Sequence, residues 1–84
     1  MVGYADAKES LLKKYKNSKV TAIYNGGSFW LFAIKPNSMK PKEYVLDGYF
    51  AVDKNTGKIS EYAAFKNPDE YRKARENVIY KEKQ

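Results

Sequence analysis

The sequence has 84 residues, a net charge of +6 and neither histidine nor cysteine. This length predicts one small domain over residues 1–84. The absence of cysteine excludes disulfides and thiol nucleophiles, and the absence of histidine removes the commonest general base and the His/Cys type of zinc site. We therefore expect a protein that is not an enzyme, with no catalytic residue, no cofactor and no metal site.

The chain has no recognisable targeting or membrane-spanning segment. Its first ten residues, MVGYADAKES, contain no basic stretch followed by an apolar one. The longest uncharged run, residues 20–34, is too short to cross a bilayer and has Asn-Gly-Gly in its middle. We expect a soluble, cytoplasmic protein with no membrane partner.

The first predicted element is a helix that begins at Asp6. Asp6 and Glu9 have the spacing of a capping box, with Asp6 as the N-cap. Four apolar side chains then fall near one side at helical spacing: Ala7, Leu11, Leu12 and Tyr15. Asn17 and Ser18 are expected to end this helix.

The segment VTAIYNGGSFWLFAI predicts a β-hairpin. Asn25-Gly26 favours a type I′ turn, in which both central residues have positive φ. The apolar run Phe29–Ile34 predicts a central strand that is covered, at least in part, on both faces. Trp30 is expected to anchor the core, and Pro36 cannot join a central ladder.

Two more strands are predicted at residues 44–53 and 58–65, around the polar segment DKNTGK. Asp53 can cap a turn through its side chain, and Gly57 can take the left-handed conformation of a bulged turn. A calcium loop needs more oxygen ligands and a distant Glu, and a phosphate-binding P-loop needs a different glycine and lysine spacing. The segment therefore predicts a plain turn.

The last helix is predicted to begin at Asn67, which is followed by Pro68 and two acidic residues. Asn77 is expected to end it, so that Val78–Tyr80 could pack back on the sheet. Together the elements predict an α+β fold of order α-β-β-β-β-α. We expect a four-stranded antiparallel sheet with the N- and C-terminal helices on one face.

A sheet covered by helices on one face leaves its other face bare. Exposed tyrosines on that face, together with the lysine-rich loop 35–43, are the predicted partner-binding surface. The predicted contact residues are Lys35, Met39, Lys40, Lys42, Tyr49 and Tyr62. The positive charge favours an acidic protein partner, and both a monomer and a homodimer remain open. The alternative is a nucleic acid, because single-strand binders also combine basic residues with exposed aromatics.

The chain also resembles known proteins between Ser28 and Tyr71. The pattern FWLF…GYFAVDKNTGKI…NPDEY resembles small bacterial and prophage-encoded α+β proteins, including some immunity proteins of toxin–immunity systems. The VDKxTGxI hairpin is also similar to the repeating unit of PepSY domains. The resemblance implies a bacterial or phage protein of the immunity or host-modulator type, which binds another protein without a cofactor. It implies no role for any particular residue.

Overall fold

The computed structural model describes residues 1–36 and 48–82 and shows an α+β fold. Its elements are α1 (Tyr4–Lys14), β1 (Ser18–Asn25), β2 (Phe29–Pro36), β3 (Gly48–Asp53), β4 (Ile59–Glu61), α2 (Pro68–Glu76) and β5 (Val78–Lys81). A single turn of 3-10 helix, Ala64–Lys66, lies between β4 and α2. The predicted α+β class is confirmed.

The sheet has five antiparallel strands in the order β4-β3-β2-β1-β5, so the predicted four strands are wrong. After the C-cap Asn77 the chain does not merely pack on the sheet but pairs with β1, placing Tyr80 opposite Ile23. The N–H of Asn25 also donates to the carbonyl of Asn77 over 2.9 Å. The fifth strand escaped prediction because it has only four residues and its partner is distant in the sequence.

The two helices lie on opposite faces of the sheet, which corrects the prediction that they share one face. α1 buries Ala7 and Leu11 in a cluster with the strand residues Val20, Ile23, Phe32, Ile34 and Val52. α2 buries Ala74 in a second cluster with the strand residues Ala22, Tyr24, Leu31 and Ala33. The physical reason is the apolar run of β2, whose alternate side chains point to opposite faces and need cover on both.

The start of α1 differs from the predicted capping box. The helix begins at Tyr4, and its N-cap is Gly3, which has no side chain to cap the helix. Asp6 lies inside the first turn instead, where its negative charge still suits the helix dipole. The helix starts earlier than predicted because the preceding Val2 is held by contacts distant in the sequence.

Trp30 provides one of those contacts. Its indole Nε1–H donates to the carbonyl of Val2 over 2.9 Å, and the N–H of Val2 donates to the carbonyl of Lys54 over 2.7 Å. The Lys54 ammonium lies 4.1 Å from the centre of the indole ring, within cation–π distance. Trp30 is partly buried beside the α1 cluster, so it ties the N-terminal segment to the core rather than filling the core's centre.

The turn between β1 and β2 is not the predicted type I′ turn. Gly27 has positive φ, at 94°, whereas Asn25 does not. The Asn25 side-chain oxygen instead accepts the N–H of Gly27 over 3.0 Å. A Cβ at Gly26 would overlap the ring of Phe29, so any larger residue here would have to displace that ring.

The turn between β3 and β4 follows the prediction for DKNTGK. One carboxylate oxygen of Asp53 accepts the N–H groups of Asn55 at 2.7 Å and Thr56 at 3.0 Å. These hydrogen bonds lower the pKa of Asp53 below its ordinary value. Gly57 supplies the left-handed residue, with φ of 75°. The segment is thus occupied in closing the hairpin.

Replacing Gly57 with alanine should lower the free energy of unfolding by about 1–2 kcal/mol, because a Cβ disfavours the left-handed conformation. Gly57→Asn is the matched control and should lose less, since asparagine tolerates positive φ better than alanine. Equilibrium urea unfolding of the two variants measures both effects. Equal losses would show that the turn does not impose this backbone conformation.

Candidate functional site

Of the predicted lysine-rich loop, the structure describes one contact residue. Lys35 is half-buried in β2 and lies opposite Lys19 of β1. The predicted contacts Met39, Lys40 and Lys42 lie outside the described residues. Whether the predicted loop residues come together is therefore not tested by the described residues, and their role stays a prediction.

The two predicted contact tyrosines lie on the face that α2 covers, not on a bare face. Tyr71 of α2 donates its hydroxyl hydrogen to the Tyr49 hydroxyl over 2.8 Å, and their rings meet edge to face. Tyr62 donates its hydroxyl to the carboxylate of Glu70 over 2.9 Å and stacks on Phe29, with ring centres 5.5 Å apart. The expected open platform is instead a helix–sheet interface, so both side chains are partly committed to the fold.

Arg75 extends this tyrosine cluster to the surface. Its guanidinium donates to the Tyr71 hydroxyl over 3.3 Å and lies 5.6 Å from the centre of that ring. It also lies 5.9 Å from the ring centre of Tyr24, within cation–π distance. The proximity of Tyr71 raises the pKa of Arg75 above its ordinary value. The guanidinium is thus exposed to partners and already oriented by two rings.

The tyrosine contacts predict a stability loss in alkali. Burial, and secondly the hydrogen bond to Glu70, raises the pKa of the Tyr62 hydroxyl to about 12. Burial, and secondly the hydrogen bond with Tyr71, raises the pKa of the Tyr49 hydroxyl above its ordinary value. The unfolded chain loses these protons near pH 10, so their contribution to stability is complete below that pH and is lost as pH rises toward 12. Urea unfolding at stepped pH should show this loss.

Tyr62→Phe isolates one part of the effect. At pH 7 the variant lacks only the hydrogen bond to Glu70, whereas between pH 10 and 12 it also lacks the ionisable group. Its stability should therefore fall less steeply with pH than that of the unaltered protein. Parallel curves for the two proteins would contradict the raised pKa.

A broad depression lies along one side of α2. We call it the α2 groove; it is open and has a volume of about 720 Å³. Its lining residues are Ala64, Phe65, Pro68, Tyr71, Arg72, Arg75 and Glu76. Phe65 is 82% exposed, which is unusual for so large an apolar side chain.

The local backbone explains why Phe65 faces solvent. The last sheet contact of this segment joins the N–H of Tyr62 to the carbonyl of Tyr49 over 2.9 Å. The chain then leaves the sheet, and the N–H of Lys66 donates to the carbonyl of Ala63 in the 3-10 turn. The predicted strand 58–65 is therefore too long, because β4 ends at Glu61.

The α2 groove combines apolar surface with positive charge. Arg72 and Arg75 are three residues apart in one helix and are neighbours on its surface. A guanidinium offers paired donors that match a carboxylate, and an exposed aromatic ring offers apolar contact area. Phe65 was not among the predicted contact residues, because in the predicted strand 58–65 it alternates to the face opposite Tyr62. The spacing of the two arginines was the available signal.

The described residues also form a depression that is smaller than the α2 groove. This second depression, of about 320 Å³, lies beside β3 and β4, and its lining includes Asp53, Lys58 and Glu70. Among residues 1–36 and 48–82, no three acidic side chains gather closely enough to hold a metal ion. Within the same ranges, no helix has the length and apolar composition needed to cross a membrane.

Comparisons of this chain with known protein families, with curated proteins and with solved structures found no match.

Proposed function

We propose that this protein acts without catalysis, by binding an acidic segment of another protein in the α2 groove. The observation that carries the proposal is Phe65, exposed at 82% of its surface between a 3-10 turn and a helix that carries two arginines. Interface hot spots are enriched in aromatic residues and arginine. A surface that gathers these residue types around one groove is suited to a protein partner.

The charge of the groove favours an acidic occupant. The charged lining residues of the groove are two arginines, Arg72 and Arg75, and one acid, Glu76, and the whole chain carries a net charge of +6. Complementary charge raises the association rate and discriminates against basic partners. The expected ligand is therefore a segment with one apolar side chain for Phe65 and neighbouring carboxylates for the arginines.

A nucleic-acid partner is less well supported. Single-strand binders stack bases on exposed aromatic rings, and the tyrosines that were candidates for this role contact Tyr71, Phe29 and Glu70 instead. A gel shift with single-stranded DNA at low salt tests this alternative. Tight binding that weakens steeply with added salt would favour nucleic acid over a protein.

The proposal is tested with a synthetic peptide that carries one Leu between runs of Asp and Glu. Phe65→Ala and Arg72→Glu should each weaken its binding by at least about tenfold in calorimetry, as expected for hot-spot residues. Lys13→Glu is the matched control for Arg72→Glu, because it makes the same charge reversal on the exposed side of α1. It should change the affinity by less than about threefold, since surface charges contribute little individually.

Two results would contradict the proposal. If Lys13→Glu weakened binding as much as Arg72→Glu, attraction would come from net charge and not from the groove. If no variant changed the affinity, the peptide would bind elsewhere.

A further inference from the structure

β5 forms one edge of the sheet and has an unusually apolar surface for an edge strand. It pairs with β1 on one side, and no described strand lies on its other side. Three consecutive side chains are exposed: Val78 by 50%, Ile79 by 40% and Tyr80 by 44%. An edge strand offers backbone groups to any extended chain, so such edges are usually shortened or charged. β5 is short and carries one lysine, but its other three residues are apolar and exposed.

The backbone of β5 has donors and acceptors available for pairing. The N–H of Glu82 donates to the carbonyl of Thr21 over 2.8 Å, so this residue faces β1. Successive residues of an antiparallel strand turn their backbone groups alternately toward and away from a given neighbour. The N–H and C=O of Lys81 therefore point away from β1, toward the outer edge.

The charges around β5 select the kind of occupant. The Lys8 ammonium of α1 lies 5.8 Å from the centre of the Tyr80 ring, and Lys81 adds a charge within the strand. The nearby acid Glu82 is already paired with Lys19 over 3.1 Å. A second copy would bring its own Lys8 and Lys81 to this edge and carries the same net charge of +6 over the whole chain, so like charges oppose self-pairing, whereas an acidic strand is attracted.

We propose that the outer edge of β5 takes up an acidic, extended segment of another protein by adding it to the sheet as a sixth strand. In this mode, main-chain hydrogen bonds supply affinity and side chains supply selectivity. The surface consists of Val78–Lys81 and Lys8, and it shares no residue with the α2 groove. The inference and the proposed function can therefore be tested independently of each other.

The test uses a capped hexapeptide of alternating Glu and Val, with an alternating Lys and Val peptide as its charge-reversed control. With the Glu peptide, nuclear magnetic resonance should show shifts of the β5 amides, and exchange of the Lys81 amide hydrogen should slow by at least about tenfold. The Lys peptide should produce neither effect. Equal effects of both peptides, or shifts confined to the α2 groove, would overturn the inference.

Two substitutions of Lys81 separate the contribution of its backbone N–H to binding from the contribution of its side-chain charge. Lys81→Pro removes the outward N–H, which an edge strand tolerates, and should weaken binding of the Glu peptide by at least about tenfold. Lys81→Ala keeps the N–H and should weaken binding by less than about fivefold. Equal weakening by the two variants would overturn strand addition.

Three further results complete the test. Phe65→Ala should leave binding of the Glu peptide unchanged, and a loss in this variant would overturn the β5 site. Shifts of the β5 amides that grow with protein concentration alone would identify a second copy as the occupant and overturn the acidic partner. If Lys81→Pro proves unfolded by circular dichroism, protection of the Lys81 amide by the Glu peptide but not the Lys peptide decides the inference.

Discussion

Phe32→Ala is expected to lower the free energy of unfolding by about 3–5 kcal/mol, as is typical of removing a buried ring. Phe32 is fully buried in β2, the middle strand of the sheet, and packs in the cluster beneath α1. A domain of this size has a total stability of roughly 4–13 kcal/mol, at about 0.05–0.15 kcal/mol per residue. Urea unfolding followed by Trp30 fluorescence should therefore show a greatly lowered midpoint.

Phe65→Ala is the matched control, because it makes the same chemical change at an exposed position. Phe65 is 82% exposed, so its loss should change the free energy of unfolding by less than about 0.5 kcal/mol. Similar effects at the two positions would contradict the described core. A near-neutral effect on folding would also show that a binding defect in Phe65→Ala arises in the α2 groove itself.

Ala74→Leu should cost about 1–3 kcal/mol, because a larger side chain must be forced into a packed interface. Ala74 is 1% exposed and packs on the second face of the sheet with Ala22 and Ala33, which are also small. Small residues on both surfaces let α2 approach the strands closely. The substitution should also disturb the nearby tyrosine contacts, which near-ultraviolet circular dichroism detects.

Lys73→Leu is the control for this prediction, since Lys73 is the exposed neighbour of Ala74 in the same helix. It adds the same side chain on the solvent side and should stay within about 0.5 kcal/mol of the unaltered protein. If Ala74→Leu were as harmless as Lys73→Leu, α2 would not pack on the sheet through this residue. The assignment of the helices to opposite faces would then be wrong.

The sequence predicted the local features well where neighbouring residues decide the structure. Asn67 and Pro68 mark the start of α2 as expected, and Asn77 marks its end. Asp53 and Gly57 close the hairpin between β3 and β4 by their own side chain and backbone. These predictions succeeded because a cap or a turn depends on groups within a few residues of one another.

The candidate site was harder to predict, because it depends on where the sheet ends and which face a helix covers. Tyr49 and Tyr62 were expected on an open surface, but Tyr71 and Glu70 of α2 contact them. Phe65 was expected in a strand, but it lies in the 3-10 turn after β4. The contacts of the two tyrosines follow from the return of the chain over the second face, whereas the exposure of Phe65 follows from the early end of β4 at Glu61.

The amino-acid sequence by itself determined three features. The pattern of its elements determined the α+β class, short-range hydrogen bonding determined the turn at DKNTGK, and composition determined that no His or Cys side chain is present. Only the tertiary structure decided that α1 and α2 cover opposite faces and that residues 78–81 pair with β1. The apolar pattern of β2 requires cover on both faces but does not say which helix supplies it. That choice depends on contacts between residues distant in the chain, which no local pattern encodes.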